Sequence, residues 1–190
     1  MASPQELDQE AVALGVRLAE HLVGGNTLAS LLGISEESQE ALYALGYNLY
    51  NQGRYDDAMH TFGFLLLHNH RDRRFYKGFG SCLQMQKRYQ DALKYYGIAS
   101  IMDLNDPVPV FHSAECLLAM SKVDEAIEAL HFVQQTTKAV EAHAELAARV
   151  EGILQLLVDG HSKDLHKTVE EHAAASRTDT DTPAKEITHE

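Results

Sequence analysis

Eleven histidines and two cysteines are spread over 190 residues, and they are the side chains here whose types and spacing come nearest to chemistry. His68-Asn69-His70 has the look of a nuclease trio. Such a site needs a strand-rich setting, however, and these residues fall at the end of a helical repeat. His112 and Cys116 stand at i, i+4, on one face of a helix. A tetrahedral zinc site would need two further ligands, so no metal is expected. No phosphate-cradling loop, GxSxG elbow or convincing Ser/His/Asp grouping accompanies them. Catalytic residues and cofactors are therefore not expected, and what remains is binding. Tyr43, Tyr47 and Tyr50 fall at i, i+4, i+7, one stripe of a helix. Tyrosine gives broad apolar contact with a polar tip, which suits the holding of a peptide. Leu42, Leu45 and Leu49 already supply that helix with a core face. Two readings of the tyrosine stripe are then open: it lines a groove, or it packs between stacked elements.

The elements that must position this stripe follow a period of 34. Gly46, Gly53, Tyr55, Ala58 and Phe62 are echoed by Gly80, Tyr89, Ala92 and Tyr96, and again by Ala114, Val123, Ala126 and Leu130. A fixed period of 34 is that of the tetratricopeptide repeat. Each unit is a pair of antiparallel helices that buries its apolar face only by stacking on neighbours. The pairs are expected at about 39–70, 73–104 and 107–137, with Ala58, Ala92 and Ala126 buried where the helices of each pair cross. Gly53 can take the positive φ that closes the first turn. Lys87 stands in its place in the second, so that turn either finds right-handed geometry or accepts strain. Cys82 and Cys116 occupy equivalent places in successive repeats. At roughly 10 Å, the helix-packing distance, they are too far apart for an easy disulfide and read as small core residues.

The concave face of such a stack is lined by the first helix of each repeat. Carried forward by 34, the tyrosine stripe becomes Lys77, Ser81 and Gln84, with Met85 beside it, and then Phe111, Glu115 and Leu118. Small Ser81 would leave a pocket floor, Lys77 would meet a peptide carbonyl, and Phe111 would supply an aromatic anchor or a hydrophobic staple at the helix start.

Leu7, Ala11, Leu14, Leu18 and Leu22 predict a helix over 6–23, ended by Gly24-Gly25. A short segment Thr27–Leu32 follows, and Ser35, with Ser38 as the alternative, caps the next helix. A last amphipathic helix, with Val140, Leu146, Val150, Ile153, Leu154 and Leu157, is expected over about 139–159. After Gly160 the composition turns polar, and the part from about 174 is expected to be disordered. The fold class is thus all-α: three tetratricopeptide pairs over 35–138 in a right-handed superhelical array, an N-terminal helical segment over 1–34, a capping helix to 160 and a polar tail over 161–190. Hydrophobic content of 45% is enough for a core. A net charge of −12 argues against nucleic acid and against anionic membrane surfaces. No stretch approaches the roughly 18 apolar residues of a membrane span. The acidic start MASPQELDQE has no secretory pattern, so a cytoplasmic protein is expected.

Three repeats between an N-terminal helical segment and one C-terminal helix resemble the class II chaperones of bacterial type III secretion. Gly24-Gly25-Asn26-Thr27-Leu28 is similar to that family's GG-x-T-L segment. Leu42-Tyr43-Ala44-Leu45-Gly46-Tyr47 with Tyr50-Asn51-Gln52-Gly53-Arg54-Tyr55 resembles its first repeat, and Phe111-His112-Ser113-Ala114-Glu115-Cys116-Leu117-Leu118 its third. The resemblance covers about residues 10–158 and leaves the long tail unexplained. It implies a protein without enzymatic activity. Such a protein binds an extended segment of hydrophobic, secreted translocators in its concave groove, and self-associates as a dimer through N-terminal elements when free. The repeat motif alone would also fit a general tetratricopeptide scaffold or regulator holding a peptide of another complex.

Overall fold

The computed structural model of the chain describes residues 4–137 and 143–160, and every regular element among them is helical. Helices α1 (Pro4–Val23) and α2 (Leu28–Leu31) form the N-terminal segment. The three pairs are α3 (Glu36–Asn51) with α4 (Tyr55–His68), α5 (Arg73–Met85) with α6 (Tyr89–Met102), and α7 (Val108–Ala119) with α8 (Val123–Thr137). Successive helices pack on one another from α3 to α7, and the first helices α3, α5 and α7 are also neighbours. The expected all-α class of stacked pairs is what the chain adopts.

Local chemistry sets the boundaries. Thr27 and Ser30 cap α2 reciprocally: Ser30 N donates to Thr27 Oγ1 at 3.2 Å and Thr27 N to Ser30 Oγ at 3.3 Å. Ser35 is the cap of α3, its Oγ accepting from Ser38 N at 3.2 Å, with Glu36 and Glu37 in the first turn, where the helix dipole favours carboxylates. Asp72 Oδ1 accepts from Arg74 N at 2.9 Å and caps α5.

The turn inside each pair repeats the same bond. Arg54 N donates to Leu49 O, Arg88 N to Leu83 O and Lys122 N to Leu117 O, at 3.0, 2.9 and 2.9 Å. This six-residue closure requires a left-handed residue just before the donor. Gly53, Lys87 and Ser121 fill that place with φ of 77°, 62° and 60°. Of the two outcomes open at Lys87, the chain takes the strained one. Ser121 is strained in the same way, which the sequence reading did not single out.

Ala58, Ala92 and Ala126 are all 0% exposed, as the repeat register requires. Cys82 and Cys116 are buried free thiols. Burial pushes both thiols up to about 12, so neither is a reactive thiolate. Phe62 reaches out of the first repeat and is wedged between two glycines. A Cβ on Gly46 would lie 3.0 Å from its ring, and one on Gly78 2.7 Å away. Tyr96 meets Gly80 in the same manner, at 3.0 Å. Leu45 departs from the expected seam, being 47% exposed. With Gly46 at the centre of the buried face of α3, Leu45 and Tyr47 sit about 100° to either side, and both face outward.

Exposed apolar side chains gather in two places. On α1 they include Val12, Leu14, Val16 and Val23; of the expected α1 stripe, Leu14 and Leu22 are exposed among the described residues and Leu18 is half-buried. On the second helices, Phe64, Ile98 and Phe132 are exposed at equivalent positions, with Leu67 and Ile101 one turn further on. Contacts divide the chain after Thr136. Beyond that point a helix over 144–160 carries buried Val150 and Leu154. Val140 and the tail from 161 lie outside the described residues.

Candidate peptide-binding groove

The first helices of all three pairs border one cleft of about 150 Å³. That volume holds a group about the size of benzene. Its borders are Tyr43, Tyr47 and Tyr50 from α3, Arg74, Lys77, Gly78 and Ser81 from α5, and Val108 and His112 from α7, with the Phe62 ring of α4 behind them. Five of the seven positions expected from α3 and α5 border the cleft; three of them are tyrosines one helical turn apart, and they divide the work. Tyr47 is 55% exposed. Tyr43 and Tyr50 are half-buried and do two things at once. The Tyr43 ring lies 5.9 Å from Phe62 and 6.0 Å from Phe75, and the Arg74 guanidinium stands 4.9 Å from its centroid. Tyr50 meets Tyr55 edge-on at 5.4 Å. Burial pushes both phenols up, so both are neutral hydrogen-bonding groups. Groove lining and packing are therefore not alternatives at these positions.

The cations of the cleft are restrained. Arg74 is held by Asp72 and Glu40. Lys77 Nζ lies 2.8 Å from Asp106 Oδ2, which also faces Arg73 at 3.0 Å. Burial raises the Asp106 carboxyl, but Lys77, the Val108 N–H and Arg73 outweigh it and hold the group below the usual carboxylate range. This cluster ties the loop before α7 to α5.

Further along, a polar chain runs beneath the surface. The Tyr96 hydroxyl donates to Gln84 Oε1 at 2.7 Å and lies 3.1 Å from Ser81 Oγ, whose hydroxyl can donate to it. Gln84 Nε2 donates to Glu115 Oε2 at 3.1 Å, and His112 Nδ1 approaches the same oxygen at 2.8 Å. The His112 ring stacks on Tyr96 with centroids 5.4 Å apart. Gln84 and Glu115 thus brace the cleft from behind, while Ser81 borders it. Met85 is 46% exposed and Leu118 half-buried, and neither borders the cleft. Phe111 is 1% exposed. It points into the core one helical turn before buried Ala114, so it is not an exposed anchor. Sequence reasoning missed five bordering residues: Phe62, Arg74, Gly78, Val108 and His112. A second mid-helix glycine two residues before Gly80 was the available signal for Gly78. His112 was weighed only as a metal ligand. Among the described residues no three His, Cys, Asp or Glu side chains converge as a metal site, and no helix is long and apolar enough to cross a membrane.

Comparison with known proteins bears on this geometry. The tetratricopeptide repeat family matches residues 40–67 and 75–106. Low calcium response locus protein H of Yersinia pestis is 38% identical over 136 residues, covering 72% of this chain and 81% of its own. SycD of Yersinia enterocolitica, a type III secretion translocator chaperone, superimposes with a TM-score of 0.67 at 36% identity, over 69% of this chain and 98% of SycD. SycD has also been solved with a peptide of the translocator YopD. PcrH of Pseudomonas aeruginosa, in complex with the chaperone-binding region of PopD, gives a TM-score of 0.65 at 37% identity, over 68% of this chain and 97% of PcrH.

Proposed function

The chain belongs to the class II, tetratricopeptide translocator chaperones of type III secretion, and from that membership we propose that it holds an extended segment of a hydrophobic translocator between α3, α5 and α7. The bound client is thereby kept soluble in the bacterial cytoplasm, and apart from its partner translocator, until export. The observation that carries the reading is the cleft itself: the first helices of all three repeats border it, and Tyr47 stands exposed at its edge. The YopD and PopD segments held by SycD and PcrH support the choice of ligand. The action is binding without a reaction. Membership in this family displaces the general-scaffold reading.

On this proposal Tyr43, Tyr47, Tyr50, Lys77 and Ser81 touch the client. Gln84 and Glu115 support them, Met85 and Leu118 extend the apolar surface along α5 and α7, and buried Phe111 holds α7 in place. The repeats over 35–138 are the binding part. The segment 1–34 serves self-association, which the exposed apolar side chains of α1 support, as does the alternative dimer known for SycD. Calorimetric titration with the YopD and PopD segments tests the groove. An exposed aromatic anchor typically contributes ~2 kcal/mol or more, roughly thirtyfold in affinity. Tyr47→Ala should therefore lose about that much while its helical circular dichroism is unchanged. Normal binding by this variant would place the client elsewhere.

A further inference from the structure

An extended peptide in a cleft presents backbone N–H and C=O groups, and each one shielded from water needs a partner. The side chains bordering this cleft are rich in donors. Arg74 and Lys77 can only donate, and the tyrosine and Ser81 hydroxyls can do either. His112 is different, and its partners decide how. Glu115 Oε2 lies 2.8 Å from Nδ1 and already accepts from Gln84 Nε2. An oxygen accepting from Gln84 as a carboxylate accepts from His112 too, so Nδ1 carries the proton. In the neutral ring Nε2 is then a bare lone pair. Nε2 has no hydrogen-bond partner among the described residues, while the ring borders the cleft and is held flat against Tyr96. It is the one group among the bordering side chains that can only accept.

We propose that His112 reads the client backbone: its Nε2 accepts a hydrogen bond from one N–H of the bound segment. The inference rests on the reading of the cleft as the client site. Glu115 holds the imidazole from the Nδ1 side and leaves the Nε2 side to the client.

The test uses the full chain and the YopD and PopD segments, each made as a series with a single backbone N-methyl group. His112→Phe keeps the ring stack on Tyr96 and removes the acceptor, while His112→Gln restores an acceptor oxygen. Melting curves confirm that both variants fold. One N-methyl position should cost the wild type about five- to tenfold in affinity. It should cost His112→Phe nothing further, and His112→Gln should regain part of the sensitivity. N-methyl profiles that coincide in wild type and His112→Phe overturn the inference and leave the client site standing. Failure of the wild type to bind either segment overturns the client reading, and the inference with it.

Discussion

Replacing Gly78 by alanine tests the packing that shapes the groove. The new methyl would stand 2.7 Å from Phe62 Cε1 and Cζ and 2.8 Å from Cδ1. Carbon atoms rest at about 3.5–4.0 Å, so the ring must retreat by about 1 Å. Its other side already abuts Gly46, and it is 2% exposed. Forcing such a shift costs ~1–3 kcal/mol. Alanine also gains ~1 kcal/mol of helix propensity over glycine, which blurs the sign of the net effect. Gly97→Ala removes that ambiguity. Gly97 lies inside α6, and a Cβ there meets nothing within 4 Å, so it gains the propensity without the clash. The two variants should therefore differ by about 1–3 kcal/mol, Gly97→Ala being the more stable. Urea unfolding followed by circular dichroism measures the difference, and melting points should separate by about 3 °C per kcal/mol for a chain of this size. Because Phe62 backs the cleft, Gly78→Ala should also bind the YopD segment more weakly than Gly97→Ala. Coincident unfolding curves would show that Phe62 is not confined between the two glycines.

Two further outcomes follow from strained or charged positions. Lys87→Gly should raise stability by ~1 kcal/mol, since a side chain in the left-handed region costs about that much, and an unchanged or lowered melting point would mean that the turn carries no strain. Asp106 sets a pH dependence. Its carboxyl is depressed in the folded chain, so its contribution is present above the unfolded value of about 3.9 and lost as pH falls through the folded one. The melting point of the wild type should thus fall more steeply below about pH 4 than that of Asp106→Asn. Parallel curves would show that the Lys77–Asp106–Arg73 cluster contributes nothing to folding.

The repeat was legible because it is written in size: Ala58, Ala92 and Ala126 recur where nothing larger fits, and a period survives any uncertainty about where a helix begins. The caps at Ser35 and the turn at Gly53 were legible because one residue carries each job. Lys87 left two outcomes open because turn geometry is imposed by bonds between helices, which a side chain does not announce. Phe111 misled for a related reason. An aromatic residue early in a helix reads the same whether it faces ligand or core, and only the direction of the buried face, set by Ala114 and Cys116, decides between them. His112 was hidden by its alternatives, since the partner that fixes its tautomer is three residues away but the cleft it borders is built from two other repeats.

The exposed row formed by Phe64, Ile98 and Phe132 bears on the behaviour of this protein as a colloid. An apolar patch repeated along three pairs invites contact between molecules, and what opposes it is mutual repulsion from a net charge of −12. That repulsion vanishes at the isoelectric point, near 5.3, whereas the apolar row does not change with pH. Solubility should therefore pass through a minimum there and recover on either side, with salt narrowing the safe range by screening. On the proposed function, a protein that keeps another from clumping thus depends on its own charge to avoid the same fate.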